Sequence, residues 1–382
     1  DAPRLGGIFA GIIIVSQLEV FRLAPWAFAV YPTILGAKSV MSNWFNAHVG
    51  RALHLGTIYP GFFGNTKNFY KLFEVLAFMT LALSLAMSVV SMLLNSVLFG
   101  ITFSDCFNIL VIVSATMATG LILVFFVSNI LFHAFKKGLD YDAILSPAIS
   151  TFESVLITAI YVIMLCLFFS GTMGTDAVIL VALLSLALFP FLLLRNIHEE
   201  EFIKNVKETL LALMFVAFIG NFAGVALKNI SNGARNMVDV YTVYPALVAI
   251  AERVGFIVGS TSTTRLALGM LKPSLFSIRS HFSQIFGAWT ASAIMALVFS
   301  ALGLLVNASF SLNNFTSFAS LLFVANLLTV IAISFLFYAF SLLTFLKNLD
   351  NDHLVTPLEC SLAGGLASYA LLIAISLLRW FG

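Results

Sequence analysis

The sequence predicts an all-α polytopic membrane protein with about eleven transmembrane helices, and three observations predict it. Hydrophobic residues make up 61% of the 382 residues and charged residues only 9%, where a soluble domain carries roughly 25% charged residues. A soluble chain of this length could not cover its surface with so few charges, whereas a chain surrounded by lipid has no need to. Apolar runs of about 20 residues, the length that crosses a bilayer, recur from one end of the chain to the other. Lys and Arg gather at alternate ends of those runs.

The runs fall near residues 5–22, 25–50, 72–100, 106–133, 146–170, 175–194, 207–227, 238–264, 282–306, 316–346 and 356–379. Those at 25–50 and 238–264 are interrupted by polar and small residues. The first run reads as a span rather than a cleaved leader. We place the chain as a multi-pass protein of the cell membrane with its N-terminus in the cytoplasm. Most of the 19 Lys and Arg residues, from Arg4 through Lys136, Lys137, Arg195 and Lys272 to Lys347, then lie on the cytoplasmic side, while Arg22, Lys228, Arg235 and Arg379 lie outside. This is the positive-inside asymmetry, and removing one span would scramble it.

Several function classes drop out. A net charge of +2 with no basic run argues against nucleic acid as a partner. The cysteines Cys106, Cys166 and Cys360 sit in or beside apolar runs without a CxxC pair and read as small buried hydrophobes. There is no P-loop, HExxH, GxSxG or histidine cluster, so the chain reads as neither an enzyme nor an ATP-driven pump. The expected partners are the lipid bilayer and a solute.

The chain repeats itself. Residues 137–151 read KGLDYDAILSPAIST and residues 347–361 read KNLDNDHLVTPLECS. With Pro147 on Pro357, Asp140 matches Asp350 and Asp142 matches Asp352. Upstream, Tyr31-Pro32 matches Tyr244-Pro245, and Leu55-Gly56 matches Leu268-Gly269 at the same offset. The expected organisation is a first five-helix repeat at 1–173, a linking transmembrane helix with its cytoplasmic connector at 174–204, and a second five-helix repeat at 205–382. Five spans is an odd number, so a direct fusion would invert the second half; the linking span restores its direction. Two parallel halves related by a pseudo-two-fold axis along the membrane normal follow, with a site expected where they meet.

Ionisable groups inside spans are costly and usually serve a pathway, pair with one another or face water. Here they are Glu19, Lys38, Glu153, Glu252, Arg253 and Glu359. An acidic, oxygen-rich interior suits a hard divalent cation, and Mg²⁺ takes only one or two carboxylates while keeping much of its water. Glu153, with Ser150, Thr151 and Ser154 around it, reads as a pore or binding residue. Lys38 with Glu153, or Glu252 with Arg253, also reads as a structural ion pair. Glu19 sits where it either faces a path or snorkels to the outer interface. Glu359 either guards the mouth or favours the dipole at the start of its helix. Asp140, Asp142, Asp350 and Asp352 form either an acidic cytoplasmic vestibule or helix caps. The hydroxyl-rich run containing Ser260 and Thr261 either lines a polar path or satisfies a bent helix, and Asn43 is its polar counterpart in the first half.

The segments Gln17-Leu-Glu19-Val-Phe21, Tyr31-Pro32-Thr-Ile-Leu-Gly36-Ala-Lys38 and Arg51-Ala-Leu-His-Leu-Gly56 resemble the MgtE family of divalent-cation transporters, in its duplicated solute-carrier-like form. The acidic turns before Pro147 and Pro357 resemble the turn before the family's last span. The resemblance implies a Mg²⁺ channel or transporter with its pore between the paired halves, a fused dimer able to work as a monomer, without the soluble regulatory domains of bacterial members. It also implies metal-binding roles for Glu153, Glu252, Glu359, Glu19 and the four aspartates. The chain departs from the family pattern in its acids. The last-span acid position holds Ser154 and Gly364, with Glu153 one residue earlier, a rotation of about 100° on a helix. The second-span acid position holds Ser42 and Gly255, with Glu252 three residues earlier. A transporter of another metal or an organic ion, with Lys38 and Arg253 as substrate charges, and a non-transporting scaffold held by ion pairs are the alternatives.

Overall fold

The computed structural model describes residues 6–138, 146–233, 238–347 and 356–381. Every regular element among them is helical: α1 Gly6–Ser16, α2 Leu18–Leu23, α3 Trp26–His54, α4 Lys67–Phe99, α5 Phe103–Gly120, α6 Ile122–Lys136, α7 Ser146–Phe169, α8 Thr172–Asn196, α9 Glu200–Gly233, α10 Val238–Ala267, α11 Phe282–Val306, α12 Leu312–Lys347 and α13 Thr356–Phe381. Among the described residues nine helical stretches are long and apolar enough to cross a membrane. The chain is an all-α, multi-pass membrane protein. The expected span at 5–22 is two short helices, broken where Ser16 turns its hydroxyl back onto the Ile13 carbonyl at 2.8 Å. The span at 106–133 is also two helices, α5 and α6, that meet at Leu121, where the ladder tightens to a bond from the Leu121 N–H to the Ala118 carbonyl.

Local chemistry explains the ends. Thr102 and Asp105 form a reciprocal capping box at the start of α5. Gly100 ends α4 at φ 62°, a left-handed conformation open to glycine at little cost. Asn65 shapes the turn after α3, accepting from the Tyr59 and Thr66 N–H groups and donating to the Tyr59 and Gly61 carbonyls.

Contacts sort the helix ends onto two sides. At one side Lys71 pairs with Glu199 at 2.7 Å and Arg195 with Glu74 at 3.0 Å, bringing the start of α4 beside the α8–α9 junction. At the other, the Trp26 indole N–H donates to Asp105 at 3.2 Å, and Lys228 lies over the Phe99 ring. Lys71 and Arg195, which the charge count assigns to one side, thus lie at the same end of the bundle.

The repeat seen in the sequence recurs in the contacts. α3 and α10 both carry an internal proline, Pro32 and Pro245. Both end in the same turn: the Leu55, Gly56 and Thr57 N–H groups return to Arg51, Leu53 and Ala52, and those of Leu268, Gly269 and Met270 return to Thr264, Leu266 and Arg265. Gly56 and Gly269 share φ 69°. The Tyr31 hydroxyl meets Thr158 on α7 at 3.0 Å, and the Tyr244 hydroxyl meets Ser368 on α13 at 2.8 Å. α3 and α10 meet through Phe28 stacked on Tyr241, ring centroids 4.9 Å apart, and through Tyr31 beside Tyr244 at 6.4 Å. Each of these residues faces its own counterpart, as happens at a two-fold axis, and the matched order along both helices means that they run in the same direction.

The first helix of each half crosses to the other half. α1 packs on α10 and α11, and α9 packs on α3 and α4. The contact is made by a Gly-x-Phe-Ala-Gly segment in both cases, Gly7–Gly11 and Gly220–Gly224. Gly7 lies against Ala246 and Gly11 against Thr242; reciprocally, Gly220 lies against Thr33 and Gly224 against Ala29. A β-carbon on Gly11 would run into the Thr242 carbonyl, and one on Gly224 into the Ala29 carbonyl. Small residues allow this approach, and in lipid, where apolar burial drives little association, close van der Waals packing holds helices together. Among the described residues the linking helix α8 packs chiefly on the first half, against α4, α5 and α7.

Gly11→Val and Gly224→Val are therefore expected to destabilise the fold by about 1–3 kcal/mol each, the usual cost of overpacking, seen as a lower melting temperature and loss of the monodisperse peak in detergent. Gly287→Ala, whose added carbon meets nothing within 4 Å, is the control and is expected to melt at or slightly above the parent.

Candidate functional site

Two places in this frame hold the intramembrane charges. The first is the seam between α3 and α7, which run antiparallel. Lys38 and Ser42 lie one turn apart on α3 and both face Glu153 on α7. The Lys38 ammonium donates to Glu153 Oε1 at 2.7 Å and to Ser42 Oγ at 2.7 Å, and the Ser42 hydroxyl donates to the same Glu153 oxygen at 2.5 Å. The group is sealed, with Lys38 6% exposed and Glu153 4% exposed. Further along the seam the Tyr31–Thr158 bond and a bond from the Tyr161 hydroxyl to the Ala27 carbonyl, 2.9 Å, hold the two helices in register. A lone carboxylate here would be expensive; the ammonium and the hydroxyl satisfy it. Glu153 is thus engaged by the protein's own cation.

The second half keeps the tyrosine tie and discards the charges. The positions matching Lys38, Ser42 and Glu153 are Ala251, Gly255 and Ala363. Ala251 and Ala363 are buried, and the Phe337 ring of α12 fills the space a Gly255 side chain would take. The same helical seam is ionic in one half and apolar in the other.

The second place is a narrow crevice between the halves, where α3, α9, α10 and α13 converge. Gly36, Gly220, Glu252, Ser361, Gly364 and Gly365 line it. Gly36 has nothing within 4 Å of where a β-carbon would stand, while Gly220 and Gly365 pack closely on Thr33 and Ile219, so Glu252 lines a narrow gap between tightly packed helices. Among the described residues no hydrogen bond or salt bridge is made to the Glu252 carboxylate. It is half-buried, two turns along α10 from Tyr244 of the tyrosine pair on the two-fold axis.

The other expected site residues are dispersed. Glu19 is exposed in the first turn of α2. Asn43 and Ser154 are half-buried, each with its own interaction partner. The hydroxyl-rich run of α10 is satisfied within its own helix: Thr261, Ser262, Thr263 and Thr264 each donate to the carbonyl four residues back, and Ser260 faces outward. This is the back-bonding of hydroxyls inside a helix, and Thr261 also reaches His281. Asp140, Asp142, Asp350 and Asp352 lie outside the described residues, as do the side chains of Ser150 and Glu359. Among the described residues no three His, Cys, Asp or Glu side chains converge as a metal cluster.

Three polar groups were not legible as buried. Lys228, read as an outer-loop cation, is 6% exposed with its ammonium 3.5 Å from the Phe99 ring centroid, a cation–π contact. Asp239, half-buried in the first turn of α10, accepts from Asn307 at 2.7 Å and Ser309 at 3.0 Å, tying α10 to the end of α11. His281 is fully buried with Nε2 2.9 Å from the Thr261 hydroxyl. All three sit near span ends, where hydropathy does not separate a buried polar group from a solvated one.

Compared with known protein families, curated proteins and solved structures, the chain matches none of them.

The α3–α7 group yields a stability prediction. Lys38→Met or Glu153→Gln alone strands a buried partner and is expected to cost about 3–5 kcal/mol, whereas the double variant, which removes both charges, is expected to cost far less. A double-mutant cycle on thermal or denaturant unfolding in detergent measures the coupling; additive single effects would refute it.

Proposed function

We propose that the protein transports divalent cations across the cell membrane, with Mg²⁺ as the favoured substrate, along a path between its two halves. The observation that carries this reading is the crevice at the half interface: a carboxylate, Glu252, lines a narrow gap between glycine-bearing helices near the pseudo-two-fold axis. Parallel-repeat transporters place their sites at the interface of the halves. One carboxylate plus retained water suits Mg²⁺, which dehydrates reluctantly. The MgtE-like motifs around Tyr31-Pro32 and Lys38 point the same way. In this reading the N-terminus is cytoplasmic, each half contributes five spans with α8 as the linking span, and one chain acts as a fused pseudo-dimer. Glu359 and the aspartates before Pro147 and Pro357 stand at the cytoplasmic mouth, and membrane potential drives uptake.

A second reading, a non-transporting scaffold, draws on the α3–α7 seam, where Glu153 is neutralised by Lys38 and ties helices together. Proteoliposome flux separates the two. Purified chain is expected to carry Mg²⁺ inward under an inside-negative potential, and Glu252→Gln to reduce that flux at least about tenfold, as loss of a charged group on an ion path does, without lowering the melting temperature. Undiminished flux in Glu252→Gln removes the crevice assignment; absence of Mg²⁺, other divalent-cation and organic-ion flux alike supports the scaffold.

A further inference from the structure

The segments that follow α3 and α10 are one loop written twice. At the spacing that places Tyr31 on Tyr244, Ile58 falls on Leu271, Pro60 on Pro273 and Phe63 on Phe276. Ile58 and Leu271 are both buried, while Phe63 and Phe276 are each 81% exposed. Because α3 and α10 run in the same direction, both loops lie at one end of the bundle. We propose that the α10–α11 loop is a docking site for an anionic phospholipid, with Lys272 and Arg279 on the headgroup phosphate and Phe276 and Phe282 against its upper acyl carbons.

The loop is held in a fixed shape. Leu271 is buried, the Tyr338 hydroxyl of α12 donates to the Ser274 carbonyl at 3.2 Å, and His281 meets Thr261 of α10 at 2.9 Å. Between these ties runs a 3₁₀ helix, Leu275–His281, in which residues three apart lie on one face. Ile278 and His281 take the inner face, packed on the core or buried. Phe276, Arg279 and then Phe282, 64% exposed at the start of α11, make the outer stripe. Ring, cation and ring on one exposed stripe suit the headgroup layer, where rings enter the acyl boundary and cations stay at the phosphates. The charge is also of one sign. No Asp or Glu occurs between Glu252 and Asp350, a stretch that holds Arg265, Lys272 and Arg279. Lys272 and Arg279 are exposed, and among the described residues neither makes a salt bridge.

The first half supplies the contrast. Its loop keeps the buried aliphatic, the proline, the exposed phenylalanine and a tyrosine tie, here from the Tyr70 hydroxyl to the Phe62 carbonyl at 3.1 Å. At the positions of Lys272 and Arg279 it carries Tyr59 and Thr66. Both loops thus seat a ring at the interface, and the second adds the cations that select a headgroup. The rings make the ligand a lipid rather than a free phosphate. The charge count of the proposed function puts this end in the cytoplasm, where the leaflet carries anionic lipid; the docking site rests on that reading only for which leaflet it meets.

The test reads lipid binding without ion flux, so it fails or succeeds separately from the transport reading. Full-length protein in a non-ionic detergent is mixed with equal amounts of phosphatidylglycerol and phosphatidylcholine of the same acyl chains, and bound lipids are counted by native mass spectrometry. The parent is expected to retain phosphatidylglycerol at least about fivefold over phosphatidylcholine, the selectivity that a basic group near a headgroup confers. Lys272→Gln with Arg279→Gln is expected to lose that preference, and Phe276→Ser to lower retention of both lipids. Lys136→Gln with Lys137→Gln removes the same charge at the end of α6 and is expected to keep the preference. Equal retention of the two lipids by the parent, or an undiminished preference in Lys272→Gln with Arg279→Gln, overturns the proposal. So does a protein dimer in place of lipid adducts that Phe276→Ser abolishes. Should the double variant fail to fold, Arg279→Lys and Arg279→Gln decide: the preference is expected to survive the first and fall in the second, and equal preference in both overturns the proposal.

Discussion

The structure hangs on how closely α1 can approach α10 and α9 can approach α3. Lipid tails are as apolar as leucine, so nothing like the hydrophobic effect in water presses these helices together. What remains is van der Waals contact, and it grows only when backbones nearly touch. The paired Gly-x-Phe-Ala-Gly segments provide that approach twice, at reciprocal positions. Because each first helix is seated on the opposite half, neither half is a closed unit, and the tyrosine pair on the two-fold axis and the crevice beside it exist only where the crossing is made.

On that symmetric frame the chemistry is unequal. A buried ion pair gains strong attraction in a low dielectric and loses the hydration of both partners, so it contributes little net stability while making each partner depend on the other. An apolar filling such as Phe337 over Gly255 has no such dependence and packs without alternatives. One half is thus conditional and the other fixed. A homodimer would carry the same residues on both sides; two halves on one chain are free to diverge, and Lys38, Ser42 and Glu153 against Ala251, Gly255 and Ala363 are the record of it.

Much of the architecture was legible because it is written in hydropathy. The apolar runs fall on helices, nine of which among the described residues are long and apolar enough to cross a membrane, and the Tyr-Pro and Leu-Gly matches correspond to structurally equivalent turns and hydrogen bonds. The breaks within 5–22 and 106–133 were not legible, since neither contains an internal proline and mean hydropathy is blind to a hydrogen bond shifted by one residue. At the site, Lys38 and Glu153 stood out singly as charges in apolar runs and their pairing was one of the open readings; which reading holds depends on the rotation of two helices far apart in sequence. Phe337 had no signal at all, being one phenylalanine in a run of apolar residues. For the hydroxyls around Thr261 both a polar path and a self-satisfied helix were open readings, and composition does not report that they bond to carbonyls one turn back on their own helix.

The crossed first helices also bear on how the chain is made. α1 leaves the ribosome well before α10, the helix its glycine face fits, which emerges only after seven further helices and the linking span. Until then α1 can pack on α7 of its own half while Gly7 and Gly11 lack their seat on α10. Seating of α1 on α10 is thus a late event in biogenesis, and the interval before it is when an insertion chaperone or a wrong helix has access to that surface.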